Sequence, residues 1–145
     1  MMRSASVVVV VVLLFLVGAR SAAQSPDKPA SGLDFATFRD RVQPLFLDKR
    51  QGFARCYVCH SQGTPFRLQR LGDGRRAWTE EESRKNFEAV QRLVVAGKPD
   101  ASRLLLMPLA HEAGGTEFHP GGKRWTSKSD AEWKELAQWV ASAAR

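Results

Sequence analysis

The pentapeptide CYVCH, residues 56 to 60, contains both cysteines of this 145-residue chain, and the rest of the sequence is best read outward from it. Two residues separate Cys56 from Cys59, and His60 follows the second cysteine directly. Four kinds of site use such a pattern, namely a disulfide, a thiol redox couple, part of a zinc site and an attachment site for haem. The remainder of the chain has to discriminate among these four.

Three of the four interpretations fit the sequence poorly. A disulfide between Cys56 and Cys59 would close a very short loop and would stabilise the chain little through chain entropy. A thiol redox couple usually lies on a strand–helix unit, and no alternating strand pattern is present in the sequence. A zinc site would need His111 and His119 to complete it, and seven residues lie between these two instead of the usual number of about three to five.

Covalent attachment of haem explains the pentapeptide best. The two thiols are spaced to add across neighbouring vinyl groups of a porphyrin, and the imidazole of the adjacent histidine then reaches the iron. We therefore predict one haem c with its iron, attached through thioether bonds to Cys56 and Cys59. His60 is the predicted proximal iron ligand.

The N-terminus predicts export. Arg3 precedes an apolar run at residues 7–17, and the small residues 21–23 end the segment. The run is shorter than the roughly 20 residues that span a bilayer as a helix. Residues 1–23 therefore predict a secretory signal peptide cleaved near Ala23, a periplasmic protein, and no stable membrane span after cleavage.

Cleavage would leave a flexible N-terminal segment, residues 24–32, and one domain, residues 33–145. Residues 24–145 contain 20 Lys and Arg against 15 Asp and Glu, a net formal charge of +5. No basic run with interleaved aromatic residues occurs, so we expect no nucleic-acid partner.

The apolar pattern places the chain in the all-α class, with about three main helices and short helical turns. The first helix is predicted over residues 33–47, and Pro44 should bend or end it close to Gln43. Short helical turns are expected at residues 55–60 and 102–107.

Capping signals mark the other two main helices. Thr79 and Glu82 form a predicted capping box, and the helix that follows should stop near residues 97–99. Ser129 and Glu132 show the same spacing ahead of the last helix. Between them, residues 110–128 predict a long ordered loop of the kind that usually carries function.

At this point the chain resembles the c-type cytochromes, specifically small, monohaem, class I-like domains. A helix before CYVCH, helices after it and a capped C-terminal helix agree with that layout. More narrowly, three segments look like cytochrome c domains of planctomycete and acidobacterial genomes: GKPDASRLLLMPL (97–109), HPGGKRW (119–125) and DAEWKELAQWV (130–140).

The resemblance implies a distal iron ligand from the loop before the last helix. His119 lies ten residues before Ser129, and a proline and two glycines follow it. Met107 is the alternative, because Met-Pro is the usual distal pair of the family, although this methionine ends an apolar run that is typical of core. His111 is a third candidate. For the anionic haem carboxylates the candidate donors are Arg67, Arg70, Lys123, Arg124 and Trp125.

The resemblance further implies an electron carrier and no enzymatic activity. Such a protein passes single electrons between redox protein partners, or to a membrane respiratory or photosynthetic complex. Two alternatives stay open. One is a haem sensor or peroxidase-like catalyst with a displaceable sixth ligand, in which His111 and Glu112 would act. The other is a fixed haem subunit of a larger complex.

Overall fold

The computed structural model describes residues 32–53 and 55–143. The predicted signal peptide and residues 24–31 of the predicted flexible segment lie outside the described residues. The described part is all-α, and its only β-type pairings are two isolated bridges, so the predicted fold class is confirmed at this level. Its α-helices are α1 (Phe35–Thr37), α2 (Cys56–His60), α3 (Glu80–Gln91), α4 (Arg103–Leu106) and α5 (Ala131–Ser142).

The predicted first helix is present, but it changes type along its length. After α1 the chain forms a π-helical turn, Phe38–Val42, and then a 3-10 turn, Gln43–Phe46. The backbone N–H of Gln43 donates to the carbonyl of Phe38, five residues back. Pro44 has no N–H, and its ring would crowd a carbonyl in a regular α-helix, which accounts for the wider turn directly before it.

The predicted start of α3 is confirmed, and its predicted end is not. The Thr79 side chain accepts from the N–H of Glu82 at 3.2 Å, and Glu82 accepts from the N–H of Thr79 at 2.8 Å. The helix stops at Gln91, because the next residues form turn bonds, such as that from the N–H of Leu93 to the carbonyl of Val90 at 2.9 Å.

The N-cap of α5 is Asp130, so the prediction of Ser129 is wrong by one position. The side chain of Asp130 accepts from the N–H of Glu132 at 3.0 Å. Glu132 does not bond back to the cap, because its carboxylate is bound by Arg124 and Trp125.

An aromatic cluster joins the N-terminal helical segment, α3 and α5. The ring of Phe38 lies 5.2 Å from that of Phe87 and 5.6 Å from that of Trp139, between centroids. Fully buried aliphatic side chains extend this core: Leu33, Val42, Leu68, Val90, Leu105, Leu136 and Val140.

Helix α2 is held by the chain that follows it. The hydroxyl of Tyr57 accepts from the N–H of Leu71 at 2.9 Å, and the carbonyl of His60 accepts from the N–H of Leu68 at 2.8 Å. The ring of Tyr57 also packs edge-on against Trp78. These contacts fix the orientation of the CYVCH segment in the fold.

The predicted long loop closes on itself. The N–H of Ala110 donates to the carbonyl of Trp125 at 2.8 Å, and that of Arg124 donates to the carbonyl of Pro108 at 2.7 Å. A Cβ atom on Gly115 would lie 2.0 Å from the carbonyl oxygen of Leu109, so only glycine fits at this close backbone approach. The residues between the two ends of the loop, including His119, are therefore presented from a fixed base.

Candidate functional site

The two cysteines lie one helical turn apart in α2, which places them on the same side of the helix. Both are free thiols; Cys56 is half-buried against the core and Cys59 is exposed. Burial raises the pKa of the Cys56 thiol above its usual range, opposed by the positive charge of Arg124. The arrangement is that of two thiols available to one ligand on one face.

His60 is oriented by the loop that follows α2. Its Nδ1 lies 3.0 Å from the carbonyl oxygen of Phe66 and 2.9 Å from the hydroxyl of Thr64. A carbonyl can only accept, so Nδ1 carries the proton and the Nε2 lone pair is left for a ligand. Burial lowers the pKa of His60, the bond to Phe66 opposes this, and the charge of His119 lowers it further. The lowered pKa favours the neutral form of the imidazole, which is the form that metals bind.

His119 is oriented by the same kind of contact. Its Nδ1 lies 2.7 Å from the carbonyl oxygen of Gly122, so Nδ1 carries a proton and Nε2 is the ring nitrogen left to bind a ligand. The N–H of Gly122 donates to the carbonyl of His119 at 2.8 Å, and Gly122 has φ +75°, a left-handed conformation that glycine adopts without strain. The glycines after His119 therefore make the tight turn that orients the ring.

The fold brings His60 and His119 together from distant parts of the chain. Their ring centres are 6.2 Å apart, and the ring planes differ by 13°. An imidazole nitrogen binds a metal at about 2.0 Å, and the ring centre lies about 1 Å further away, so two rings on opposite sides of one ion have centres about 6 Å apart. The observed separation fits a shared metal ion.

Met107 and His111 are placed differently. Both line a cavity of about 250 Å³ beside His119, with Met107 half-buried and His111 exposed in the 3-10 turn His111–Ala113. In the described part of the chain, His119 is the histidine whose ring pairs with that of His60. The structure thus keeps Met107 close to the distal loop but does not pair His111 with the CYVCH segment.

The histidine pair does not belong to a larger set of protein ligands. Within residues 32–53 and 55–143, no group of three or more His, Cys, Asp or Glu side chains converges as a metal site. Cys56, Cys59, His111 and His119 therefore do not form the four-ligand cluster that a structural zinc site needs. Two imidazoles at this separation suit a metal whose other ligands come from a macrocycle.

Arg124 and Trp125 were expected to donate hydrogen bonds to the haem carboxylates. The structure corrects this expectation, because both residues donate to a carboxylate of the protein itself. Arg124 is only 2% exposed and binds both carboxylate oxygens of Glu132, at 2.8 and 2.7 Å. The indole N–H of Trp125 donates to the same carboxylate at 3.1 Å. The protein thus takes up three of the five N–H groups of Arg124 and the single indole N–H of Trp125.

Two other donors, which the sequence analysis did not single out, are buried without an acceptor. They are Nε1 of Trp133 and Nε of Arg55. The other three tryptophan N–H groups are bonded, to Gln69, Glu132 and Asp34. Because an unpaired buried donor is costly, each of these two N–H groups is available to an acceptor from outside the protein. The position of Arg55 directly before Cys56 was the available sequence signal.

Comparison with protein-family models, curated proteins and solved structures found no match for this chain. No helix in the described ranges is long and apolar enough to cross a bilayer.

Proposed function

We propose that this protein is an exported, periplasmic electron carrier with one covalently attached haem c, of the class I-like cytochrome type. The observation that carries the proposal is the pairing of His60 with His119, with ring centres 6.2 Å apart. One of these histidines directly follows two free thiols on the same face of α2, as haem c requires.

Four side chains would hold the group. Cys56 and Cys59 would form the thioether bonds, and His60 and His119 would bind the iron. Haem c supplies a one-electron iron couple when it is bound, and ligation by two imidazoles implies a lower potential than ligation by a thioether. Met107 remains the alternative distal ligand, and it would imply the higher potential.

Both imidazoles are fixed by carbonyl contacts, which favours a carrier over a catalyst. Electron transfer needs ligands that stay in place while the charge changes, and each ring is held by a short bond from Nδ1 to a backbone carbonyl. A catalyst or sensor needs an open sixth position with an acid–base group beside it. His111 and Glu112 are both exposed, and His119 is the histidine that faces His60.

Covalent attachment is tested by expressing the full chain with a haem c maturation system. The wild-type protein should keep its colour after denaturation and acetone extraction, and its mass should exceed that of the processed polypeptide by one haem. Cys56→Ala/Cys59→Ala should lose both properties, whereas the matched control His111→Ala should keep them. Colourless wild-type protein with the mass of the bare polypeptide would refute the proposal.

Carbon monoxide separates the carrier from the alternative functions. The reduced wild-type protein should show an unchanged visible spectrum, because two fixed imidazoles leave no open position on the iron. Rapid binding of carbon monoxide would instead favour a sensor or catalyst.

A further inference from the structure

The net positive charge is concentrated around the CYVCH segment. Residues 48–76 contain seven Lys and Arg against two Asp, a net charge of +5. Elsewhere between residues 24 and 145 the two kinds are equal in number, with 13 of each. The sequence shows no continuous basic run, but this one part of the fold carries the whole excess.

Most of these cations have no carboxylate partner. Arg50 pairs with Asp130 at 2.7 Å, and Arg75 pairs with Glu82 at 2.7 Å. The ion pairs of residues 32–53 and 55–143 include none of the other five, which are Lys49, Arg55, Arg67, Arg70 and Arg76. Four of those five are arginines, and all but Arg55 are exposed.

Two of the unpaired arginines line a cavity of about 510 Å³ with the side chains that follow His60. Arg67 and Arg70 form its charged walls, and Ser61, Gln62 and Gln69 supply further polar groups. Nε of Arg70 donates to the carbonyl of Ser61 at 3.3 Å, which ties one wall to the residue next to the iron-ligand candidate. The cavity is therefore a cationic pocket adjoining the proposed haem site.

We propose that this pocket, between Arg67 and Arg70, binds carboxylate side chains of an acidic redox protein, in place of the haem carboxylates expected for these two arginines from the sequence. The inference rests on the proposed function, since it assigns the docking surface of the electron carrier. Guanidinium groups bind carboxylates through two parallel hydrogen bonds, and arginine is enriched where proteins meet proteins. The surrounding unpaired cations would speed the approach of an acidic surface at low salt.

The test uses the haem-loaded full chain and a hexaglutamate peptide as the probe, with binding measured by calorimetry at low salt. The wild-type protein should bind the peptide and should release it as salt rises. Arg67→Gln/Arg70→Gln should weaken binding about tenfold, and Arg67→Gln alone should weaken it by a smaller factor while keeping the contact of Arg70 with Ser61.

The matched control is Arg92→Gln/Arg103→Gln, which removes the same charge from exposed positions outside residues 48–76. It should change binding less than about twofold. Equal weakening by the two double variants would overturn the proposal, because net charge and no particular site would then explain binding.

Further outcomes show whether the bound anion belongs to a protein or to a membrane, and whether the docking site or the proposed function is wrong. If the protein binds vesicles of phosphatidylglycerol but not hexaglutamate, the surface docks on a membrane and the proposal is wrong. If the protein carries haem but does not bind the peptide, the docking site alone is refuted. If the protein carries no haem, the proposed function is refuted. Slower oxidation of reduced Arg67→Gln/Arg70→Gln by hexacyanoferrate(III), with an unchanged spectrum, would support docking beside the haem.

Discussion

At the scale of single residues, His60 and His119 are oriented by the same kind of hydrogen bond. Each commits Nδ1 to a backbone carbonyl, that of Phe66 in one case and that of Gly122 in the other. A carbonyl fixes both the tautomer and the ring orientation, and it makes the other nitrogen the better ligand. The nearly parallel planes of the two rings follow from these two independent anchors.

In the proposed haem protein, the redox properties depend on the distal ligand. His119→Ala should convert the ferric haem from a six-coordinate to a five-coordinate or water-bound spectrum, and the reduced protein should then bind carbon monoxide. Met107→Ala should leave the spectrum unchanged, because the His60–His119 pair does not include Met107. Visible and near-infrared spectra of the two variants beside wild type provide the measurement.

The opposite result would identify Met107 as the ligand. A near-infrared charge-transfer band of sulfur ligation in the wild type, lost in Met107→Ala and kept in His119→Ala, would exclude His119. The exposed His111 serves as the internal control, since His111→Ala should match wild type in every spectrum.

Residue chemistry near the pentapeptide could be predicted from sequence because it is local. The carbonyl that orients His60 belongs to Phe66, only six residues further along the chain. The partner of Arg124 could not be predicted, since it depends on which element packs beside residue 124. The same is true of Trp133, whose unpaired N–H is visible only once the burial of its side chain is known.

At the scale of the helices, the N-cap of α3 follows the local sequence, whereas the N-cap of α5 is decided by contacts with distant residues. Thr79 and Glu82 form the capping box that their spacing predicts, and Glu82 keeps its bond to the cap although Arg75 also binds its carboxylate. Ser129 and Glu132 have the same spacing, but Glu132 is bound by Arg124, and Asp130 takes over the cap. The pattern was therefore correct about the presence of a helix and wrong about its first residue.

Substitutions at the start of α5 test that assignment. Asp130→Ala should lower the free energy of unfolding by about 1 to 2 kcal/mol, because it removes the N-cap and the ion pair with Arg50. Ser129→Ala should change it by less than about 0.5 kcal/mol, since Ser129 is exposed. Denaturant unfolding measures both. A larger loss in Ser129→Ala than in Asp130→Ala would contradict the assignment.

Glu82 should make the start of α3 sensitive to acid. Its bidentate contact with Arg75, together with the N–H of Thr79, lowers the pKa of its carboxyl to about 2. The folded state thus prefers the ionised form, so the stabilisation is complete above the unfolded pKa of about 4.5 and is lost as the pH falls towards 2.

The pH dependence of unfolding in Glu82→Gln tests this sign. The variant should be less stable than wild type at pH 7, and the difference should shrink between about pH 4.5 and 2 as wild-type Glu82 takes up its proton. Arg75→Gln provides the matched control, because it removes the first cause of the shift and should flatten the same part of the curve. A stability difference that grows towards low pH would contradict the prediction.

At the scale of the whole molecule, a buried charge joins segments that are distant in sequence. Arg124 donates to both carboxylate oxygens of Glu132 and, at 2.8 Å, to the carbonyl of Asp48. Arg50 reaches the same carboxylate at 3.4 Å and the carbonyl of Arg124 at 3.2 Å. This network connects three segments: the chain before α2 at Asp48, the base of the distal loop at Arg124 and the start of α5 at Glu132. The relative positions of the two iron-ligand candidates depend on it.

Removing one partner of this network should therefore be costly. Glu132→Gln leaves the guanidinium of Arg124, 2% exposed, without its counter-charge, and should lower the free energy of unfolding by about 3 to 5 kcal/mol. Glu132→Gln/Arg124→Met should recover part of this loss, because no unpaired charge then remains buried.

Lys85→Gln, which removes an exposed partner of Glu81, should cost less than about 1 kcal/mol. Denaturant unfolding at pH 7 measures all three, and a loss in Glu132→Gln no larger than that in Lys85→Gln would show that the network does not hold the fold together.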